Sequence, residues 1–191
     1  EECGLGKFKS VRLQAFDTCA ECVAGKYAER QSGASACVDC EAGKYSKQTG
    51  QGTDTCVECA AGKYNPQPGQ ASDTCVECVA GKYSELTGQT NETCCEDCAP
   101  GKYKSEPGQA SELSCDDCLA GKYASSPSGA DACLRCEAGK HNPSPGQPNA
   151  TSCIDCTAGK FANIPEGASY CEECGLGKFK SVPLQAFDTC A

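Results

Sequence analysis

The large side chains of this chain keep to one place in a short recurring frame, and neither the alternation of a long strand nor the periodicity of a helix runs beyond a few positions. In each frame a Gly-Lys pair is followed by an aromatic (Phe8, Tyr27, Tyr45, Tyr64, Tyr83, Tyr103, Tyr123, Phe161, Phe179), or in one case by His141. A C-x-x-C knuckle precedes the Gly-Lys, and a polar loop rich in Gly, Pro, Ser and Gln follows the aromatic, as in QPGQASDTC and EPGQASELSC. Such loops carry too many breakers for a helix, so the pattern predicts short strands and turns with almost no helix. The glycine predicts a turn that brings the chain back alongside itself, because Gly adopts backbone conformations that other residues resist. The aromatic, the only large side chain of most frames, is expected to be the local core, packed on a disulfide and on the neighbouring repeat.

The second cysteines of the knuckles (Cys22, Cys40, Cys59, Cys78, Cys98, Cys118, Cys136, Cys156 and Cys174) follow one another at 18 to 20 residues, with Cys3 as the tail of a truncated pair. The chain therefore divides into a truncated repeat at 1–18, then 19–36, 37–55, 56–74, 75–94, 95–114, 115–132, 133–152 and 153–170, and a last repeat at 171–191. The predicted fold class is a small disulfide-rich tandem repeat, an elongated linear array or superhelix of ~19-residue repeats. One aromatic and a few small apolar groups bury too little surface to order a repeat alone, so stability is expected from stacking neighbour on neighbour.

Composition narrows the setting. The 191 residues include 21 Cys, 21 Gly and 10 Pro, with a single His and neither Met nor Trp. Cysteine above a tenth of a chain predicts a disulfide scaffold in an oxidising place, extracellular or at the cell surface. A net charge of -9 is the wrong sign for a nucleic-acid or anionic-membrane partner. No apolar run approaches the length of a membrane span, so no direct membrane insertion is expected.

If the cysteine before each Gly-Lys pairs with the first cysteine of the next knuckle, the bonds are Cys3–Cys19, Cys22–Cys37, Cys40–Cys56, Cys59–Cys75, Cys78–Cys95, Cys98–Cys115, Cys118–Cys133, Cys136–Cys153, Cys156–Cys171 and Cys174–Cys190. Cys94 is left over, and becomes the candidate for an inter-chain disulfide. A crossed pattern stays open, because connectivity does not follow from spacing alone. Zinc is the rival use of such knuckles. Zinc ribbons would alternate a short internal loop with a longer linker, whereas this spacing does not alternate, and no metal or cofactor is expected.

The frame C-x-x-C-x-A-G-K-Y, then a loop with Gly, then Cys, resembles the ephrin-receptor-like cysteine-rich repeat and is similar to the first part of tumour-necrosis-factor-receptor cysteine-rich modules. The resemblance covers essentially the whole chain. It implies elongated, disulfide-laddered extracellular stalks, and the same modules serve receptors, adhesion proteins and structural surface proteins alike.

No catalytic constellation stands out, and the chain is not expected to be an enzyme. His141 reads as a packed substitute for tyrosine rather than a general base. The repeated Lys, and the acid before each second cysteine (Glu21, Asp39, Glu58, Glu77, Asp97, Asp117, Asp155, Glu173), predict two charge rows. These are read first as a solvated surface of weak pairs, and alternatively as an assembly interface that sets register. Arg135 breaks the acid row. The sequons Asn91-Glu92-Thr93 and Asn149-Ala150-Thr151 predict N-linked glycans at Asn91 and Asn149.

The longest period is the most informative about function. Residues 1–20 return at 172–191 with one change, Arg12 against Pro183, an offset of 171 residues or nine repeats averaging 19. Adjacent repeats share only the frame, whereas repeats nine apart are nearly identical. Glu1 also lies inside a knuckle, so the chain is expected to be a window on a longer protein in which a nine-repeat block recurs. Recurrence at such a length suits a filament, where equivalent contacts must return at a fixed interval. The leading expectation is a structural protein that self-associates into an extracellular filament or surface fibre, with flagellar hairs of unicellular eukaryotes (mastigonemes) as one candidate. The alternative is the stalk or ligand-binding ectodomain of an adhesion protein or receptor.

Overall fold

The computed structural model describes residues 2–9, 19–29, 33–125, 129–179 and 190. The loops expected at residues 10–18, 30–32, 126–128 and 180–189 lie outside the described residues. The fold is a small disulfide-rich tandem repeat. Its described secondary structure is a series of two-stranded hairpins and three short 3-10 turns, with no α-helix among the described residues.

Ten disulfides link the cysteine before each Gly-Lys to the first cysteine of the next knuckle: Cys3–Cys19, Cys22–Cys37, Cys40–Cys56, Cys59–Cys75, Cys78–Cys95, Cys98–Cys115, Cys118–Cys133, Cys136–Cys153, Cys156–Cys171 and Cys174–Cys190. Each hairpin pairs a Lys-aromatic strand with the two residues inside the following knuckle. The chain divides into two compact units, one of Glu1–Cys78 with Ser84–Cys95 and one of Val79–Tyr83 with Glu96–Ala191. The first unit holds the hairpins Lys7–Phe8/Ala20–Glu21, Lys26–Tyr27/Val38–Asp39, Lys44–Tyr45/Val57–Glu58 and Lys63–Tyr64/Val76–Glu77. The second holds Lys82–Tyr83/Glu96–Asp97, Lys102–Tyr103/Asp116–Asp117, Lys122–Tyr123/Leu134–Arg135, Lys140–His141/Ile154–Asp155 and Lys160–Ala162/Cys171–Glu173.

Two-residue strands cannot hold a sheet by themselves, and the backbone continues into the following repeats. In the first unit Tyr45 bridges Gln70 in parallel, Ser46 donates its N–H to the Gln70 carbonyl, and Gly43 donates to the Asn65 carbonyl. The second unit repeats this with Tyr103 and Ala130, Lys104 and Ala130, and Gly101 and Ala124. Contact also reaches two repeats ahead. Gly25 and Gly121 hold φ of 83°, and a Cβ on either would run into the carbonyl of Gly69 or Gly167 respectively. The glycine of the frame is thus needed twice, for its left-handed backbone and for the close approach.

The core is not where the aromatic pattern places it. The buried positions include the second cysteines (Cys22, Cys40, Cys59, Cys118 and Cys156 at 0% exposure) and the small residue after the aromatic: Ala28, Ser46, Asn65, Ser84, Ala124, Asn142 and Ala162. Tyr83 is buried, whereas Tyr27, Tyr45, Tyr64, Tyr103 and Tyr123 are only partly so. The expectation that the ring is the local core is corrected accordingly. A sulfur or a methyl fits between neighbouring backbones, while most of the phenol rings lie at the edge of the next disulfide, Tyr83 being buried with Cys98 and Cys115. Phe8 packs in this way against the cluster of Cys22 and Cys37, and Tyr103 against that of Cys118 and Cys133.

Candidate functional site

Knuckle spacing puts Lys and the acid on opposite strands of one hairpin, directly across from each other, so the charge rows meet inside the chain. The pairs are Lys7–Glu21 at 3.6 Å, Lys26–Asp39 at 2.8 Å, Lys63–Glu77 at 3.2 Å, Lys82–Asp97 at 2.6 Å, Lys102–Asp117 at 2.9 Å, Lys140–Asp155 at 3.6 Å and Lys160–Glu173 at 3.6 Å. All have substantial solvent exposure, and such pairs contribute about 0 to 1 kcal/mol each. Two hairpins depart from the rule. Glu58 accepts the Thr87 hydroxyl at 2.5 Å and Lys44 turns to Asp54 at 3.9 Å. Lys122 faces Arg135, whose aliphatic stem lies over Gly167.

The opposite face of each hairpin carries the aromatic and its cross-strand partner. In the first unit Tyr27 faces Val38, Tyr45 faces Val57 and Tyr64 faces Val76, the three valines being 52%, 52% and 46% exposed. In the second unit the partners are Glu96, Asp116, Leu134, Ile154 and Glu172 in order. Tyr83 donates its hydroxyl to Glu96 at 3.1 Å, and Lys104 pairs with Asp116 at 3.2 Å and Glu106 at 3.5 Å. The Asp116 hydrogen bond holds the Lys104 ammonium above its ordinary pKa, and the Ser105 hydroxyl lowers Glu106. Burial, then the carboxylates of Asp54, Glu29 and Glu41, raise the Tyr27 phenol. A shallow cleft of about 290 Å³ in the first unit is lined by Phe8, Glu21, Val23, Lys26, Ala36 and Cys37.

Asn91 and Asn149 sit at the heads of the 3-10 turns Glu92–Cys94 and Ala150–Ser152. Each side-chain carbonyl accepts the N–H of the sequon threonine, Thr93 at 3.0 Å and Thr151 at 3.1 Å, and also the threonine hydroxyl. Both asparagines are exposed. Cys94 closes the first of these turns and is the one cysteine without a disulfide. Its thiol lies 3.6 Å from the Asn91 carbonyl oxygen and is partly buried rather than fully exposed.

At His141 the frame brings an imidazole to a disulfide sulfur. Its Nδ1 lies 3.2 Å from the Ile154 carbonyl oxygen and 3.0 Å from Cys171 Sγ. His141, Cys156 and Cys171 bring a nitrogen and two sulfurs within 4.8 Å of one another. The two sulfurs are bonded to each other, however, and a disulfide has no thiolate to give a metal. Arg135 lies one knuckle ahead of this ring. The sequence pattern places the ring of this slot on a disulfide and a neighbouring repeat, and the structure identifies the sulfur as Cys171 of the following repeat.

Extensive disulfides are typical of secreted and extracellular proteins, and among the described residues no helix is long and apolar enough to cross a membrane. No family model matches the chain, and no curated protein matches it.

Proposed function

We propose that the protein is a structural repeat protein that self-associates into an extracellular filament or surface fibre of the flagellar-hair kind, built from repeats of the ephrin-receptor-like and tumour-necrosis-factor-receptor-like class. The observation that carries this reading is the return of residues 1–20 at 172–191 after nine unequal repeats. The frame recurs in every repeat, so folding does not require repeats nine apart to match residue for residue. The outward face also differs from repeat to repeat. The partner opposite the aromatic runs Ala20, Val38, Val57, Val76, Glu96, Asp116, Leu134, Ile154 and Glu172, and in the sequence Ala191 returns at the place of Ala20. A surface that varies within a block and returns with it offers another chain of the same kind an identical contact once per block.

The charge rows supply little to this reading, since they are spent within hairpins. Glycans at Asn91 and Asn149 and an inter-chain bond through Cys94 belong to it: all three lie in loops at the repeat surface, and each occurs at a fixed place in the block. No catalytic role is assigned. Electron microscopy of the purified full-length protein tests the proposal. Fibres with an axial repeat set by the 171-residue block support it, whereas monodisperse particles at every concentration support the stalk or ectodomain reading instead. Non-reducing digestion and mass mapping, with and without glycosidase, would locate Cys94 and the two sequons in the same preparation.

A further inference from the structure

Phe8 and Tyr103 pack against the cysteine cluster of the following repeat, Tyr83 clusters with Cys98 and Cys115, and at His141 the ring in this place is an imidazole. A carbonyl oxygen can only accept, so the contact with Ile154 puts the hydrogen on His141 Nδ1. A disulfide sulfur carries no hydrogen either, so Cys171 Sγ is the second acceptor of the same N–H. Cys156 is fully buried, and Cys171 is partly exposed and open to attack. We propose that Cys156–Cys171 is a thiol-exchange site, the bond of the ladder most readily opened by a small thiol, because His141 is placed to hold the Cys171 thiolate once it forms.

The step balances with two molecules of a low-molecular-weight thiol, RSH. The first, as RS⁻, attacks Cys171 Sγ; the S–S bond breaks, its electron pair leaves on Cys156 Sγ, and a mixed disulfide forms at Cys171. The second attacks the R-side sulfur, releases RSSR and leaves Cys171 as a thiolate. Of the two protons brought by the thiols, one goes to Cys156 and one to His141. The imidazolium then donates Nδ1–H to the thiolate, a charge-assisted hydrogen bond that favours the reduced form. At Phe8, Tyr83 and Tyr103 the same position offers a phenyl or phenol ring in place of the imidazole.

The chain contains its own control. Cys118–Cys133 spans the same 15-residue separation, has the same pairing of a fully buried and a partly exposed sulfur, and is walled by the same two alanines, but Tyr103 covers it. The intact full-length protein would be equilibrated in graded mixtures of reduced and oxidised glutathione, trapped by alkylation and mapped by mass spectrometry. The dithiol of Cys156 and Cys171 is expected to accumulate with an equilibrium constant roughly tenfold above that of Cys118 and Cys133, the worth of one hydrogen bond to a charged group. His141→Tyr, which restores the side chain of the other repeats, should erase the difference, and Tyr103→His should confer it on Cys118–Cys133. Equal constants in the wild type overturn the proposal. So does early opening of Cys156–Cys171 that survives in His141→Tyr, which would trace the lability to local opening of the chain. Should either variant fail to fold, the bonds away from the changed ring reveal it by opening together, and the other variant decides.

Discussion

The three shortest described disulfide loops and the three longest reach the same hairpin register by different means. Cys22–Cys37, Cys118–Cys133 and Cys156–Cys171 have a sequence separation of 15, whereas Cys78–Cys95, Cys98–Cys115 and Cys136–Cys153 have one of 17. In the short loops the residue after the loop glycine is alanine (Ala34, Ala130, Ala168), and it sinks against a second alanine (Ala28, Ala124, Ala162) beside the cysteine. In the long loops that residue is glutamine (Gln89, Gln109, Gln147), held at the surface by side-chain bonds to nearby loop carbonyls. The additional chain is wound into a 3-10 turn capped by Asn91, Ser111 or Asn149. Length is absorbed between the bridging residue, which follows the loop glycine, and the closing cysteine. The bridge itself is kept by Ala130 and Ala168 in the same place as Gln109 and Gln147. Short loops are therefore closed by packing and long loops by a capped turn, each beneath a disulfide.

Removing the disulfides is expected to have the largest effect and tests how much of the contrast lies in the covalent bond. Cys118→Ser with Cys133→Ser, and separately Cys136→Ser with Cys153→Ser, should each cost about 3 kcal/mol in local stability, read by amide exchange in the adjoining hairpins. Chain entropy separates a short from a long loop by only about 0.1 kcal/mol. A gap above about 1 kcal/mol between the two pairs would mean that packing, not closure, sets the cost, and would sharpen the contrast rather than leave it to the cysteines.

The next effect separates the two cores. Ala130→Gln puts an amide where a methyl is buried, and should destabilise its repeat by about 2 kcal/mol. The reciprocal Gln147→Ala removes a partly exposed side chain and should change stability by less than about 0.5 kcal/mol. Urea melts followed by limited proteolysis would report both. Equal costs would show that the alanines are not a core and would dissolve the distinction between the loops.

Much of this fold was legible in the spacing of Cys, Gly and Lys, because those residues act locally. A glycine ahead of Lys26 or Lys122 signals a turn whatever surrounds it, and the breakers in QPGQASDTC exclude a helix on their own. The core was less legible. Ala28, Ser46, Asn65 and Asn142 occupy one structural position yet share neither size nor polarity, so no hydropathy pattern marks them. Asn65 and Asn142 are tolerated there because their amides are satisfied: Asn65 donates to Thr74 at 3.1 Å and Asn142 to the Lys122 carbonyl at 3.0 Å. The pairing of Lys with acid inside one hairpin depends on a register that becomes visible only once the hairpin exists. That the ring of this slot meets a disulfide was legible from the frame, whereas the hydrogen-bond distance from His141 Nδ1 to Cys171 Sγ needs the folded geometry.

The smallest effect isolates the capped turn. Asn149 and Ser111 accept the N–H groups of Thr151 and Leu113 at 3.1 Å and 3.2 Å, and the short loops have no such turn. Asn149→Ala and Ser111→Ala should each cost about 1 kcal/mol, the usual loss on removing a helix cap, because an amide donor at the turn start loses its acceptor. The closing amides report this directly: Cys153 donates to the Ala150 carbonyl at 3.1 Å and Cys115 to that of Glu112 at 3.0 Å, so their exchange should quicken about fivefold. Asn149→Ala also removes a sequon, whereas Ser111 lies in none, and the two variants together separate capping from glycan loss. If exchange at Cys115 is unchanged in Ser111→Ala, the disulfide alone fixes the turn, and the long loops differ from the short ones in length and not in how they are held.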